Sequence, residues 1–140
     1  MIGATQEADM DKTAAAHLTH ATLAFGAETT LANCTNHIDL SRAIAVTLRV
    51  EMTYAADVDV APTVSIYASH EAVDGSYDTA AWKTWTFPLD AGETVTMHWP
   101  DDDKIDPLPK FIKVLVKNNS TDAGADDITS ITVIAEPLNL

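Results

Sequence analysis

The chain contains few of the residues that form disulfides, flexible loops or basic surfaces: it has one cysteine, 5 glycines and 8 basic residues in 140 positions. The lone cysteine, Cys34, excludes an internal disulfide, so stability must come from packing, subunit contacts or a bound ion. The glycines are not clustered, which disfavours a Gly-rich loop that cradles phosphates. We find no apolar run of roughly 18 residues and no basic start before an apolar stretch, so we expect neither a membrane span nor a secretory signal.

Basic side chains are scarce relative to acidic ones. The sequence has 21 Asp and Glu against 8 Lys and Arg, which gives a formal net charge of -13. Such a surface repels phosphate backbones and anionic lipid headgroups. We therefore expect no direct nucleic-acid partner and no membrane partner.

The clearest structural signal is the alternation between residues 44 and 54. Ile44, Val46, Leu48, Val50 and Met52 occupy every second position, and polar or small residues fill the gaps. This is the period of a strand with one face toward a core and the other toward water. One such strand cannot bury its apolar face alone, so it requires a sheet beside it and a second layer above it.

Further alternating segments, separated by turn signals, indicate more strands. The Asp-Gly pair in residues 73–78 predicts a turn in which Gly75 takes a positive φ. Residues 38–41 predict either a short pairing or a one-turn connector. The other predicted strands cover residues 20–25, 28–32, 63–69, 82–89, 93–99, 111–118 and 128–135, the last of them stopped by Pro137.

About eight short strands without an amphipathic helix predict an all-β fold, an antiparallel two-sheet β-sandwich. The expected architecture is a jelly roll, and an immunoglobulin-like sandwich is the alternative. Residues 1–19 show no apolar periodicity, so we interpret them as an extended N-terminal arm before a sandwich domain over residues 20–140. The candidate interface residues in the arm are Met1, Ile2 and Leu18.

The sequence predicts no catalytic set, no cofactor and no metal site. His17 and His20 would share a face of a helix, but no further ligand completes a tetrahedral set, and the segment is not plainly helical. Asp101, Asp102, Asp103 and Asp106 are weak Ca²⁺ candidates, because the glycine at the bend and a closing glutamate are missing. Trp82, Trp85 and Trp99 are interface candidates, and a sugar-binding platform is the alternative for these rings.

The segment Ile66-Tyr-Ala-Ser-His-Glu-Ala-Val-Asp-Gly-Ser-Tyr-Asp-Thr79 resembles the strand and turn pattern of small β-sandwich virion proteins of tailed bacterial or archaeal viruses. Asp90-Ala-Gly92, Phe111-Ile-Lys-Val-Leu-Val-Lys-Asn118 and Ile131-Thr-Val-Ile134 continue the resemblance over about the last two thirds of the chain.

This resemblance implies a non-enzymatic structural subunit on the outer surface of the virion head. The expected role is a decoration or cement protein that bridges neighbouring subunits, with the major capsid protein or other virion subunits as partners. A homo-oligomer is expected, with a trimer as the favoured form. The alternatives are a tail or connector component and a carbohydrate-binding β-sandwich module.

Overall fold

The computed structural model describes residues 11–12, 14–99, 108–121 and 126–139. Two short 3₁₀ turns, Leu31–Asn33 and Asp74–Ser76, interrupt an otherwise extended chain. The strands are β1 (Asp11–Lys12), β2 (Ala15–His20), β3 (Ile38–Asp39), β4 (Ala43–Tyr54), β5 (Thr63–Ser69), β6 (Lys83–Thr86), β7 (Thr94–Trp99), β8 (Phe111–Lys117) and β9 (Ile128–Asn139).

The strands form two antiparallel sheets. In the first sheet, β9 lies between β4 and the successive short strands β1 and β2, and β7 forms the far edge. The second sheet has the order β3-β8-β5-β6. With β1 and β2 taken as one position, this is the strand order of a jelly roll, in which two Greek keys are folded over each other. The predicted all-β sandwich and its jelly-roll topology are confirmed.

The core lies between the two sheets, and β4 supplies its centre. Leu48, Val50 and Met52 are at most 1% exposed, whereas Arg49 and Glu51 lie on the outer face. Facing them are the buried apolar residues Val64 and Ile66 of β5 and Ile112, Val114 and Val116 of β8. Each such side chain stabilises the fold by about 1.5–3 kcal/mol on burial.

The alternation wrongly predicts that Ile44, the first residue of the apolar face of β4, is buried. Ile44 is 40% exposed, because the register between β4 and β9 shifts between Ala43 and Ala45. A one-residue irregularity of this kind turns the side chain before it to the other face. The alternation therefore holds only from Val46 onward.

The N-terminal boundary also differs from the sequence prediction. The sequence assigns residues 15–19 to the arm, but together with His20 they form β2, which pairs with β9 from Ala15 opposite Ala135 to His20 opposite Ile131. The sheet thus begins inside the predicted arm. The predicted strands at 20–25 and 28–32 are wrong; Leu23 and Glu28 make only isolated bridges, to Ile128 and Lys117.

Two further turn and strand predictions are corrected. Gly75 has no positive φ, because the Asp-Gly pair lies in a 3₁₀ turn; Gly26 and Gly92 take positive φ instead. Pro137 does not end the last strand, which continues to Asn139. Pro137 lies between the part of β9 that pairs with β1, which starts at Leu138, and the part that pairs with β2, which ends at Ala135. Its missing N–H therefore removes no hydrogen bond to β1 or β2.

Both ends of the described chain meet at one corner of the first sheet. Asp11 is the register partner of Asn139, and Lys12 that of Leu138. β1 lies at the edge of the sheet opposite β7, so the first described residues are at that edge. Within the described residues, no helix has the length and apolar character needed to cross a membrane.

Candidate functional site

Strand β8 has a short partner on one side, and side chains complete its pairing. β3 pairs with β8 only at Phe111 and Ile112. Beyond that point the N–H of Val114 donates to His17 Nε2 at 3.0 Å, and the Cys34 thiol donates to the carbonyl of Val114 at 3.4 Å. Buried backbone groups need such partners, so these two side chains replace a missing strand.

The same replacement continues one step along β8. Thr29 Oγ1 accepts the N–H of Val116 at 2.9 Å, and the N–H of Thr29 donates to the carbonyl of Val116 at 2.9 Å. Thr29 therefore pairs with Val116 through both its backbone and its side chain. We call His17, Thr29 and Cys34, with the β8 backbone that they satisfy, the polar edge.

His17 is held in one neutral form. Its Nε2 accepts a backbone N–H and so carries no proton, which leaves Nδ1 to donate to Asn36 Oδ1 at 2.8 Å. The side-chain amide of Asn36 in turn donates to the carbonyl of Ala16. Burial lowers the pKa of His17, more than the Asn36 contact raises it, and the positive charge of Lys113 lowers it further. The ring acts as a fixed hydrogen-bonding piece of the fold.

Cys34 has no activated thiolate. Burial raises its pKa to about 11, against the lowering effects of the Lys113 charge and the Val114 hydrogen bond. The thiolate is the nucleophilic form of cysteine, so this thiol is unreactive near neutral pH. Its hydrogen bond to Val114 gives it a structural use.

On the outer face of β8 lies a second group, Lys113, Asp74, His37 and Tyr77, which we call the Lys113 cluster. The alternation along residues 111–118 places Lys113 on the outer face of β8, but its side chain is only 5% exposed. Its Nζ donates to Asp74 Oδ1 at 2.7 Å and to the carbonyl of Leu31 at 2.8 Å. The alternation correctly placed Lys113 on the face opposite the core, but the loop with Asp74 covers that face.

His37 connects Asp74 to Tyr77 within the Lys113 cluster. Its Nδ1 lies 2.8 Å from the Tyr77 hydroxyl, its Nε2 lies 3.9 Å from Asp74 Oδ1, and its ring stacks on Tyr77 with centroids 5.7 Å apart. Burial raises the pKa of the Tyr77 hydroxyl, and the negative charge of Asp74 adds to this effect. The 3₁₀ turn at Asp74–Ser76 is thereby attached to β8.

An open concavity of about 540 Å³ lies beside the Lys113 cluster, and Cys34, His37, Asp74 and Lys113 contribute to its lining. Its one buried cation is already neutralised by Asp74, and its thiol is protonated at neutral pH. Within the described residues, no three His, Cys, Asp or Glu side chains are grouped to hold a metal ion. The Ca²⁺ candidates Asp101, Asp102, Asp103 and Asp106 lie outside the described residues.

Three tryptophans close the opposite side of the sandwich, between β6 and β7. Trp85 and Trp99 stack with centroids 5.5 Å apart and an interplanar angle of 14°, and Trp82 meets Trp99 edge-on at 6.2 Å. All three are partly buried and pack against the core. We call Trp82, Trp85 and Trp99 the aromatic edge.

The aromatic edge is not a flat platform for sugar rings. The stacked faces of Trp85 and Trp99 cover each other, and Lys83 Nζ lies 5.2 Å from the ring centroid of Trp82. Strict alternation over residues 82–89 would place Trp82 and Trp85 on different faces, but both contact Trp99. Trp82 precedes β6, so strict alternation does not apply to it.

The candidate interface residues thus have different positions. Leu18 is fully buried in the core, so its apolar side chain packs within the domain and is not available to an interface. Met1 and Ile2 lie outside the described residues. Sequence reasoning missed the roles of His17, Thr29 and Lys113, and a polar residue within an alternating or apolar stretch was the signal available.

Comparisons with known proteins give no family. No family model matches the sequence, and no curated protein matches it either. A solved structure titled "Crystal structure of PirA" is similar at a TM-score of 0.33 and 10% identity, over 94% of this chain and 94% of that chain. A likeness at this level carries no argument about function.

Proposed function

We propose that the protein is a non-enzymatic structural subunit of a virus particle, a head decoration protein on the outer surface that bridges neighbouring subunits. The observation that carries this proposal is that the side chains most capable of chemistry are bound to the backbone of the fold. His17, Cys34 and Lys113 each make a hydrogen bond to a backbone group of another segment. Such an arrangement builds a rigid block and leaves these groups committed to the fold.

The architecture and the charge support the same role. Jelly rolls are the fold of many viral capsid domains, although they also occur in lectins, and a fold by itself does not decide function. A net charge of -13 repels packaged nucleic acid, so it suits a protein that meets other proteins outside a shell. The sequence resemblance to virion proteins of tailed viruses points the same way.

The position of the first described residue supports a bridging role. Asp11 lies opposite Asn139 at the edge of the first sheet, and ten residues of the sequence precede it. Ten extended residues can span up to about 33 Å, which is enough to cross to a neighbouring subunit. The bridge that we propose is this segment, and a trimer around a threefold point is the proposed assembly.

The test is to locate the protein on particles. Virions of the virus that carries the gene are purified, their proteins are quantified by mass spectrometry, and the heads are labelled with an antibody to this chain. We expect many copies per particle, labelled over the outside of the head. Absence from purified particles, or label confined to the tail, contradicts the proposal.

A matched pair of variants tests the bridging segment. We expect the chain without residues 1–10 to melt at the temperature of the full chain but to decorate undecorated shells more weakly. The control replaces residues 1–10 by a Gly/Ser segment of the same length that keeps Glu7 and Asp9, and it should also decorate more weakly. Equal decoration by the full chain and both variants would show that the segment has no part in attachment.

A further inference from the structure

Strand β7 is an open edge of the first sheet. Its register partners, from Leu48 opposite Trp99 to Thr53 opposite Thr94, are all in β4, and within the described residues no backbone group pairs with its other side. Open edges are templates for pairing with another chain. The strand therefore offers a row of backbone donors and acceptors to a partner.

The pairing pattern identifies which residues face outward. The N–H of Tyr54 donates to the carbonyl of Glu93 at 2.9 Å, so Glu93 forms a hydrogen-bonded pair with Tyr54. In an antiparallel ladder such pairs alternate with pairs that are not hydrogen-bonded. The backbone groups of Thr94, Thr96 and His98 consequently point away from β4, toward the open side.

Other described edges of the sandwich carry obstacles to strand addition. The free side of β8 is occupied by the polar edge. β6 carries Lys83, and β2 has an irregularity between Ala16 and Leu18. Lysine, proline and bulges are the features that block strand addition at natural edges. β7 has none of them between Thr94 and Trp99.

Charge around β7 decides what kind of chain fits. At the Thr94 end lie the exposed acids Asp90 and Glu93, and the N–H of Gly92 donates to the carbonyl of Ala55, which brings the exposed Asp57 to the same corner. At the Trp99 end lies the aromatic edge, and the sequence continues from there with Pro100 and the acids Asp101, Asp102 and Asp103. The described part of the edge is thus acidic at the Thr94 end and aromatic at the Trp99 end.

From this we infer that β7 binds an extended, basic segment of a partner protein as an added antiparallel strand. An apolar side chain of the segment lies against the aromatic edge, and its Lys or Arg residues lie near Asp57, Asp90 and Glu93. A second copy of the chain fits less well, because each copy carries a net charge of -13, and residues 1–10 contain two acids and no Lys or Arg. The inference names the surface through which the proposed structural subunit meets its partner and in that respect rests on the proposed function.

The test uses a synthetic peptide, Phe-Thr-Val-Thr-Val-Thr-Lys-Lys, titrated into the full chain while tryptophan fluorescence is followed. We expect binding that weakens with added salt. Two control peptides share its length: one has Glu in place of Lys, and the other is N-methylated at alternate residues so that it cannot donate to a strand edge. Both should bind at least roughly tenfold more weakly, because they lose charge attraction or several backbone hydrogen bonds.

A matched pair of variants locates the binding on β7. Thr96→Pro removes an outward N–H without breaking a bond to β4, and Thr96→Ala loses the same contact of the Thr96 hydroxyl with Glu51 but keeps the N–H. We expect Thr96→Pro to lower affinity roughly tenfold and Thr96→Ala to change it little. If Thr96→Pro fails to fold, the N-methylated peptide and the wild-type chain decide the question.

Several outcomes overturn the inference. Equal binding of the Lys and Glu peptides excludes a basic partner, and equal binding by both Thr96 variants excludes β7. Self-association in sedimentation that Thr96→Pro abolishes makes a second copy the occupant, and tighter binding of a peptide of residues 1–10 makes the chain's own segment the occupant. No particle enters this assay, so a protein absent from virions that still binds the basic peptide would refute the proposed function and leave the edge assignment standing.

Discussion

The two long sides of the sandwich are closed by different kinds of contact. At the polar edge, His17, Thr29 and Cys34 bind the backbone of β8 one group at a time. At the aromatic edge, Trp85 and Trp99 fill the gap between the sheets by stacking, and the outer side of the β7 backbone has no partner among the described residues. One side is held by directional bonds, and the other by contact area.

The difference shows how a jelly roll can be rigid and still present a usable edge. Directional bonds to buried backbone groups are costly to lose, because each orphaned group costs about 1–3 kcal/mol. Partly buried rings lose less on rearrangement, since water already reaches part of their surface. We therefore expect substitutions at the polar edge to lower the free energy of unfolding more than substitutions at the aromatic edge.

The largest expected effect is the removal of β2. A chain that starts at residue 21 loses Leu18 from the core and His17 from the backbone of β8. The loss should exceed the roughly 5–15 kcal/mol that stabilise an ordinary domain, so no cooperative unfolding transition is expected in circular dichroism. The chain without residues 1–10 is the control and should unfold like the full chain. A folded product from the longer deletion would show that the polar edge is dispensable.

Removal of the Asp74 carboxylate leaves the Lys113 ammonium buried without its counter-ion. We expect Asp74→Ala to lower the free energy of unfolding by about 2–3 kcal/mol in urea titrations. Asp78→Ala, an exposed acid in the same loop, should cost less than about 0.5 kcal/mol.

The double variant Asp74→Ala with Lys113→Met sharpens this prediction. With the cation replaced by an apolar side chain, it should be more stable than Asp74→Ala alone. A double variant that is no more stable would mean that the ion pair contributes little.

At the aromatic edge, Trp99→Ala should cost about 2 kcal/mol and abolish the near-ultraviolet circular dichroism of the stacked rings. The matched control is Phe87→Ala, a fully buried aromatic residue, which should cost about 3–5 kcal/mol. Equal costs would place the aromatic edge in the core and remove the contrast between the two sides.

The smallest expected effect is a dependence of stability on pH that comes from His17. Its pKa in the folded chain lies below the ordinary value of 6.5, so the unfolded chain takes up a proton first as the pH falls. The contribution of His17 is complete above about pH 6.5 and declines as the pH falls toward the lowered value.

His17→Gln should flatten this part of the profile, because glutamine keeps an acceptor for the N–H of Val114 and does not titrate in this range. His70→Gln, at a ring that is 79% exposed, should leave the decline unchanged. An unaltered slope in His17→Gln would assign the acid sensitivity to another group. Urea midpoints measured between pH 8 and pH 5 make the comparison, since these limits bracket the ordinary histidine pKa of about 6.5.

Much of the fold was predictable because it depends on local alternation. β5 begins and ends at the predicted residues. β4 differs from the prediction only at its start, where it begins at Ala43 and Ile44 is exposed. β2 was missed because Ala15, Ala16 and Leu18 alternate poorly, and its position is set by the ladder of β9 far along the chain. The expectation that Pro137 ends the last strand fails for a similar reason, because it too depends on distant pairing. Only the pairing of β9 shows that Pro137 lies opposite neither β1 nor β2.

The candidate sites were harder to predict, since they depend on what covers a strand and on where a neighbouring strand ends. Alternation places Lys113 on the outer face of β8, but it contains no information about the loop that brings Asp74 over it. The use of His17 follows from the brevity of β3, which leaves the N–H of Val114 to be satisfied by a side chain. Both facts join residues that are far apart in sequence.

The pairing of Asp11 with Asn139 places the first and last described residues at one corner, on the far edge of the first sheet from β7. A fluorophore, affinity tag or fused domain joined directly to Asp11 or to Asn139 therefore starts from the same corner, away from the β7 edge. Two different cargoes, one joined at each of these residues, would start side by side on a single copy of this domain.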